Sequence, residues 1–441
     1  MSITTIVRQL RSSSLVRHNL IFFIGSLATG ALNYLYYPVL GRFMPPSAFG
    51  EVQVLVSLFL QLTIFLTVLS MITVNIVANY RDEDTRNKVI YEIEKLTFII
   101  GVVLLLIVAL ISPALKTFFQ FDSALPFTAL ALAFVAGIPL TSRTAYLRGK
   151  QAFAKTAVAN CIAAGGKIFG SLALVVVGFG TLGAIFGIVG AQLFAAAWAA
   201  HTARRLGLTK TVGAWKKLPR LRVIRPELKY AGLVLVTSLV ITLHYSIDII
   251  AIKHYFDAHT AGVYAGIATV GRILFFLTAS ITQVMLPAVR LAHPPAQNRR
   301  VLVHSLALLL LVSVPVMLLF FLLPHETVEM LMGKNYNTMA SLLPDLSLAM
   351  VIIAGLNLFI NYYVALRRYD MLVFAIIDAV VVSMWVLVHH QTPAAVVESL
   401  LASSATMTGL LGVWAILYKL KKLKKPYTNE EATHNGHRTG L

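Results

Sequence analysis

Apolar stretches of roughly 20 residues, the length a helix needs to cross about 30 Å of hydrocarbon, recur along the chain. They fall at 19–41, 51–79, 94–114, 125–147, 154–178 and 181–202, and again at 229–252, 260–288, 301–323, 339–365, 369–389 and 394–418. Short polar turns separate them, with one longer interruption from Arg204 to Lys229. The pattern predicts an all-α polytopic membrane protein, with about 12 transmembrane helices in two six-helix lobes. Its expected parts are an N-terminal segment 1–18, an N-lobe 19–203, a connector 204–228, a C-lobe 229–418 and a tail 419–441. An even number of helices in each half gives the two lobes the same orientation, so a pseudo-twofold axis relating them runs along the membrane normal.

Composition agrees with this reading. Of 441 residues, 58% are hydrophobic and only 12% charged, and the mean hydropathy is +0.79, far from the balance of a water-soluble domain. The formal charge of +19 does not point to nucleic acid, because Lys and Arg stand at the ends of apolar runs rather than in a surface stripe. They follow topology instead. About 31 of the 37 Lys and Arg fall on one side of the twelve-helix arrangement, nine of them in the connector, and about four on the other. That asymmetry predicts both termini in the cytoplasm and a multi-pass protein of the cytoplasmic membrane.

The first apolar run is too long for a signal-peptide core, so residues 1–18 are expected to be retained. The tail after Pro426 has little to bury and is expected to be disordered. The single cysteine, Cys161, excludes a disulfide framework. An internal echo supports the seam at the connector. GRFMPPSAFGEVQVL can be laid over KHYFDAHTAGVYAGI, with Phe43 opposite Tyr255 and Gly50 opposite Gly262.

These stretches also carry a family likeness. LGRFMPPSAFGEVQVLVSL, SIDIIAIKHYFDAHTAGVYAGIATVGRILFF followed by MLPAVR, MLMGKNYNTMASLLPDLSLA and YLRGKQAF resemble the polysaccharide and oligosaccharide (O-antigen type) flippases of the multidrug/oligosaccharidyl-lipid/polysaccharide exporter superfamily. The resemblance implies two six-helix lobes around a central cavity. It also implies that a lipid-linked oligosaccharide on a polyprenyl pyrophosphate carrier is moved across the membrane by alternating access, for surface polysaccharide biosynthesis.

Ionisable residues at membrane depth persist mainly where they face water or a partner. Lys167 and Arg272 both fall near the midplane, one in each half, and are candidates for holding a pyrophosphate; a structural ion pair, for instance of a cation with Asp378, is the alternative. Asp378 is also a candidate for coupling transport to an ion gradient. Asp248 is a coupling or gating candidate, with pairing to Lys253 as its alternative. Arg42 and Glu51 flank the first outer turn as gating or phosphate contacts, or as charges reaching the interface. Asn33 and Tyr37, and Asn357 and Asn361, share helix faces at a spacing of four and are candidates for sugar contact or for bonds between helices.

The competing functions are an ion-coupled multidrug or cation antiporter of the same superfamily and a membrane polymerase or ligase acting on lipid-linked glycans. The sequence has no nucleotide-binding Gly-Lys loop and no clear catalytic or metal spacing, so no cofactor, metal or catalysis is expected. A proton or sodium gradient or the membrane potential is the expected energy source. The expected partners are the lipid-linked substrate, membrane lipid and other glycan-assembly membrane proteins. The first six apolar stretches hold no acid at mid-depth, which favours an anionic substrate.

Overall fold

A computed structural model describes residues 14–80, 82–209, 221–289 and 293–423. The described residues form helices and turns with no strand. In chain order the helices are α1 (Ser14–Phe43), α2 (Pro46–Asn79), α3 (Glu83–Phe118), α4 (Leu125–Gly149), α5 (Phe153–Leu174), α6 (Gly180–Arg205) and α7 (Leu221–Tyr255). They continue with α8 (Ala258–Gly271), α9 (Ile273–Ala288), α10 (Pro295–Leu322), α11 (Pro324–Met332), α12 (Leu343–Ala365), α13 (Met371–Val388) and α14 (Pro393–Leu423). Helix α8 passes into α9 at Arg272, so the two make one crossing, while α11 and a 3₁₀ stretch, Lys334–Leu342, cap the far end of α12. A π-helical turn, Val175–Phe179, joins α5 to α6. Ten apolar spans of membrane-crossing length are found, one of them the doubled Phe153–Arg205, and α1 adds a further helix of 30 residues. The twelve-crossing, two-lobe fold expected from the hydropathy pattern is therefore present.

Local chemistry explains where the helices start. Pro46, Pro295 and Pro324 occupy first-turn positions, where a missing N–H costs nothing. Asp82 accepts from the Thr85 backbone N–H at 3.0 Å and caps α3. Asp257 accepts from His259 and Thr260, both at 3.0 Å, and caps α8. The third apolar segment begins three turns earlier than its hydropathy indicates. Because α3 starts at Glu83, Glu92 and Glu94 lie inside the helix, with Glu92 buried and Glu94 ion-paired to Arg143 of α4.

Packing is dense within each half and different at its two ends. In the N-lobe α6 packs on α5 and α4, α1 on α5, and α4 on α2 and α3; in the C-lobe α12 packs on α9, α10 and α14, and α13 on α7 and α14. The lobes meet mainly where α2 crosses α8 and α7. Toward the side away from the basic turns, one continuous apolar core includes residues of both lobes, among them Tyr36, Phe49, Leu55, Tyr264, Ile267 and Leu346. Toward the basic side the core divides. One cluster belongs to the N-lobe (Leu66, Ile76, Ile90, Tyr146), and two belong to the C-lobe (Met285, Leu358 and neighbours; Leu233, Met407 and neighbours).

The two turns paired by the internal echo touch each other at the closed end. A Cβ placed on Gly50 would lie 2.9 Å from the Gly262 Cα, and one on Gly262 would lie 1.9 Å from the Pro46 carbonyl oxygen. Only glycine allows backbones this close. Further contacts hold the same end shut: Tyr336 Oη donates to the Gly41 carbonyl at 3.0 Å, and Gln53 of α2 donates to Thr269 of α8.

Candidate functional site

Where the basic-side cores separate, the N-lobe encloses a cavity of about 640 Å³. Helix α4 supplies a polar face at helical spacing, Gly137, Thr141, Thr144 and Arg148, with Asn33 and Tyr37 from α1, Asn160 and Lys167 from α5, Gln192 from α6, and Phe276 of α9 from across the lobes. A polar stripe on an otherwise apolar helix is the mark of a water-lined surface at membrane depth. Among the described residues two cations, Lys167 and Arg148, line this cavity, and no carboxylate does.

Lys167 donates one Nζ–H to Asn33 Oδ1 at 2.8 Å and sits 4.3 Å from the Tyr36 ring centroid and 5.7 Å from that of Tyr37. An ammonium has three donors, so two remain for a ligand, and the ring faces stabilise the charge without neutralising it. Arg148 donates to Ser70 Oγ, and its buried Nε has no hydrogen-bond partner. Gln192 Oε1 is likewise buried and unpartnered. Buried polar atoms left without partners are uncommon; here they stand on the wall of a cavity that can hold polar groups.

Of the residues singled out from the sequence, the cavity brings together Lys167, Asn33 and Tyr37. It does not include Arg272. That side chain is 4% exposed, donates to Asp248 Oδ1 at 2.5 Å and to the Tyr245 carbonyl at 2.9 Å, and lies 4.7 Å from the Tyr245 ring centroid. Tyr264 Oη donates to the other Asp248 oxygen at 2.8 Å. In this conformation Lys167 and Arg272 do not share one cavity: Arg272 is paired with a carboxylate of its own lobe, and its buried, unpartnered Nε belongs to a small pocket next to Tyr37 and Phe276. Asp248 pairs with Arg272, not with Lys253; Lys253 reaches the Gln120 carbonyl of the α3–α4 turn at 3.4 Å.

The remaining candidates serve contacts elsewhere. Arg42 donates to the Met330 carbonyl and ties α1 to α11, while Glu51 accepts from Thr181 Oγ1 at 2.6 Å. Asn361 donates to Asn357, to its carbonyl at 2.8 Å and its Oδ1 at 2.6 Å, and neither lines the cavity. Asp378 is buried against His244, whose Nδ1 lies 2.9 and 3.0 Å from the two carboxylate oxygens.

Two residues of consequence escaped the sequence reading. Arg148 lies one residue past the apolar span 125–147, yet α4 runs on to Gly149 and carries it into the cavity wall; the spacing from Gly137 through Thr141 and Thr144 is the available signal. His244 was overlooked because formal charge counts histidine as neutral, although any ionisable side chain in the middle of an apolar helix meets the same criterion as Lys167.

A family model described as "Polysaccharide biosynthesis protein" matches residues 39–341, more than half of the chain. The chain belongs to that family. Comparison with curated protein sequences gives no significant match. Among solved structures, a lipid II flippase MurJ in an inward closed conformation superposes with a TM-score of 0.70 at 14% identity, covering 91% of this chain and 87% of that one. An inward-facing multidrug resistance MATE family transporter of the MOP superfamily gives 0.64 at 13% identity, covering 90% and 96%. Both likenesses extend over nearly the whole polysaccharide biosynthesis chain, and at these identities they establish a shared fold.

Proposed function

We propose that this polysaccharide biosynthesis protein is a flippase. It would carry an oligosaccharide linked to a polyprenyl pyrophosphate from the inner to the outer leaflet of the cytoplasmic membrane, with both termini cytoplasmic, without itself acting as an enzyme. The observation that carries the proposal is the N-lobe cavity with Lys167 and Arg148 on its wall and no acid. A diphosphate bears the charge these cations lack, and Arg offers a fork of N–H donors where Lys offers a compact charge. The amides of Asn160 and Gln192 and the hydroxyls of Thr141 and Thr144 add donors and acceptors suited to the adjoining sugar.

The same asymmetry supports alternating access. The cavity lies on the basic side, where the lobes have separate cores, and the opposite side is shut by the α2–α8 crossing. A pair of uncompensated cations favours a hydrated, open cavity, since desolvating them alone is costly. A bound diphosphate offsets that cost and lets the lobes close on the basic side. A cation antiporter is better served by a carboxylate in its cavity, and the lining has none among the described residues.

The test is glycan export in cells carrying Lys167→Ala or Arg148→Ala, with folded protein and cytoplasmic-face lipid-linked intermediate measured together. Export is expected to fall at least about tenfold, equivalent to 1.4 kcal/mol or more of lost binding, while intermediate accumulates. Normal export by both variants would overturn the reading.

A further inference from the structure

The interior of the C-lobe holds a polar cluster that the cavity does not use. His244 of α7, Asp378 of α13, and Ser403 and Ser404 of α14 are 1%, 2%, 0% and 0% exposed. Imidazole Nδ1 faces the Asp378 carboxylate, and Nε2 lies 2.9 Å from Ser404 Oγ and 3.5 Å from Ser403 Oγ.

Counting hydrogens at these atoms is informative. Ser404 Oγ lies 2.6 Å from the Leu400 carbonyl and donates its one proton there, and Ser403 Oγ donates to the same carbonyl at 3.0 Å. With both protons on Leu400 the hydroxyls present lone pairs to Nε2; with either proton turned toward the ring, Nε2 is the acceptor. A ring nitrogen facing two acceptor oxygens is satisfied only as a donor, and Nδ1 facing a carboxylate is also satisfied as a donor. An imidazole that donates from both nitrogens is the protonated ring, and one that donates from Nδ1 and accepts a serine proton at Nε2 is the neutral ring; the cluster has partners for both forms. When Nε2 loses its proton, it becomes an acceptor facing acceptors. A serine must then turn its hydroxyl away from Leu400 and toward the ring, and the bond between α14 and α7 is rebuilt.

We propose that His244, Asp378 and Ser404 form a proton-binding site whose occupancy sets the packing of α7, α13 and α14 and so couples a proton to the conformational cycle. The inference rests on the transporter reading, since a coupled proton needs a cycle to drive. The proton arrives from water, forms the Nε2–H bond, and leaves to water when these helices part. In the conformation described here the site is sealed.

The other ionisable groups described on the elements packed here have partners of their own or lie at other depths: on α7 itself, Tyr245 lies against Arg272 and Lys253 reaches the Gln120 carbonyl at the far end. One turn along α7, Asp248 is occupied by Arg272 of the α8–α9 junction and by Tyr264 of α8. Helix α12 has Asp345 in its first turn and Tyr362 and Tyr363 near its other end. Helix α14 has Glu398 nearer the far side. On α2, which also packs on α7, Glu51 sits at the far end bonded to Thr181, and α13 has no other carboxylate.

The experiment uses the full chain in lipid nanodiscs with Cys161→Ser and spin labels at Lys155→Cys and Arg300→Cys, exposed positions on the basic side of the two lobes. The distance distribution between labels is recorded from about pH 5 to 8, the range over which imidazole titrates, with sodium absent and then present. A redistribution with pH is expected in the His244 protein and its loss in His244→Gln. Ser404→Ala keeps His244 and Asp378 but removes the hydroxyl facing Nε2, and is expected to move the midpoint. An unchanged pH response in His244→Gln overturns the proposal, as does a redistribution driven by sodium at constant pH. If His244→Gln does not fold, an unmoved midpoint in Ser404→Ala overturns it. The export assay on Lys167 reads the other lobe, so failure of the flippase reading there is distinguishable from failure of this one.

Discussion

The two lobes share a helix plan but differ in the partners they give Lys167 and Arg148 on one side and Arg272 and His244 on the other. In the N-lobe, Lys167 and Arg148 face an open cavity without a carboxylate. In the C-lobe, Arg272 and His244 each meet a buried aspartate within hydrogen-bond distance. The difference teaches that depth in the membrane does not decide whether a cation is free for substrate. The decision lies with the neighbouring helix: where it supplies an acid, the lobe closes into a packed core, and where it supplies amides and hydroxyls, the cation and its water remain accessible.

The sharpest way to break the comparison is to uncouple a C-lobe pair. Asp248→Ala leaves Arg272 buried without compensation, and the expected cost is about 3–5 kcal/mol, read as a large loss of thermal stability in detergent. Exchanging both partners for apolar residues, Arg272→Met with Asp248→Leu, is expected to recover most of that stability, because the desolvation cost of both charges disappears. An Asp248→Ala protein as stable as its parent would show that Arg272 finds water, and the contrast between the lobes would collapse.

A smaller effect comes from making the N-lobe resemble the C-lobe. Gln192→Glu or Asn160→Asp places a carboxylate on the cavity wall, and export is expected to fall several-fold with protein abundance unchanged. Should either variant export normally, the absence of acid from the cavity has no bearing on the substrate.

The smallest effect concerns the turn that opens α8. Asp257→Ala removes the cap and is expected to cost about 1 kcal/mol. Hydrogen bonding to Thr260 holds the Asp257 carboxyl below its usual range. A carboxyl lowered in the folded state stabilises fully above its unfolded value, about 4, and that contribution is lost as pH falls through the lower folded value. The stability difference between Asp257 and Asp257→Ala proteins is therefore expected to be constant above about pH 5 and to shrink as pH falls through the carboxyl's lowered value; a gap that widens on acidification would contradict this.

Much of the fold was legible in the sequence, because helix number depends on runs of apolar residues, a local property. The contact between Gly50 and Gly262 was foreshadowed by two matching turns. The site was legible only in part. Lys167 stood out by depth alone, but its partner Asn33 is 134 positions away, and that Arg272 would find Asp248 on the preceding helix depended on how α7 and α8 turn their faces toward each other. Nothing in residue spacing distinguishes a cation that meets an aspartate from one that meets an asparagine. Arg148 was misplaced for a simpler reason: helix ends are poorly marked by hydropathy when the last turn is polar.

The crossing of Gly50 and Gly262 bears on how abruptly the far side opens. Equivalent points of two related halves touch only at their shared axis of rotation, so this contact is the hub about which the halves are arranged. Parting the halves there cannot proceed from one edge: separating Gly262 from Pro46 separates Gly50 from Gly262 in the same displacement. In the proposed cycle a seal placed on the hub would act as a single latch, either seated or released, and a methyl group added at Gly262, 1.9 Å from the Pro46 carbonyl oxygen, would act as a wedge against seating.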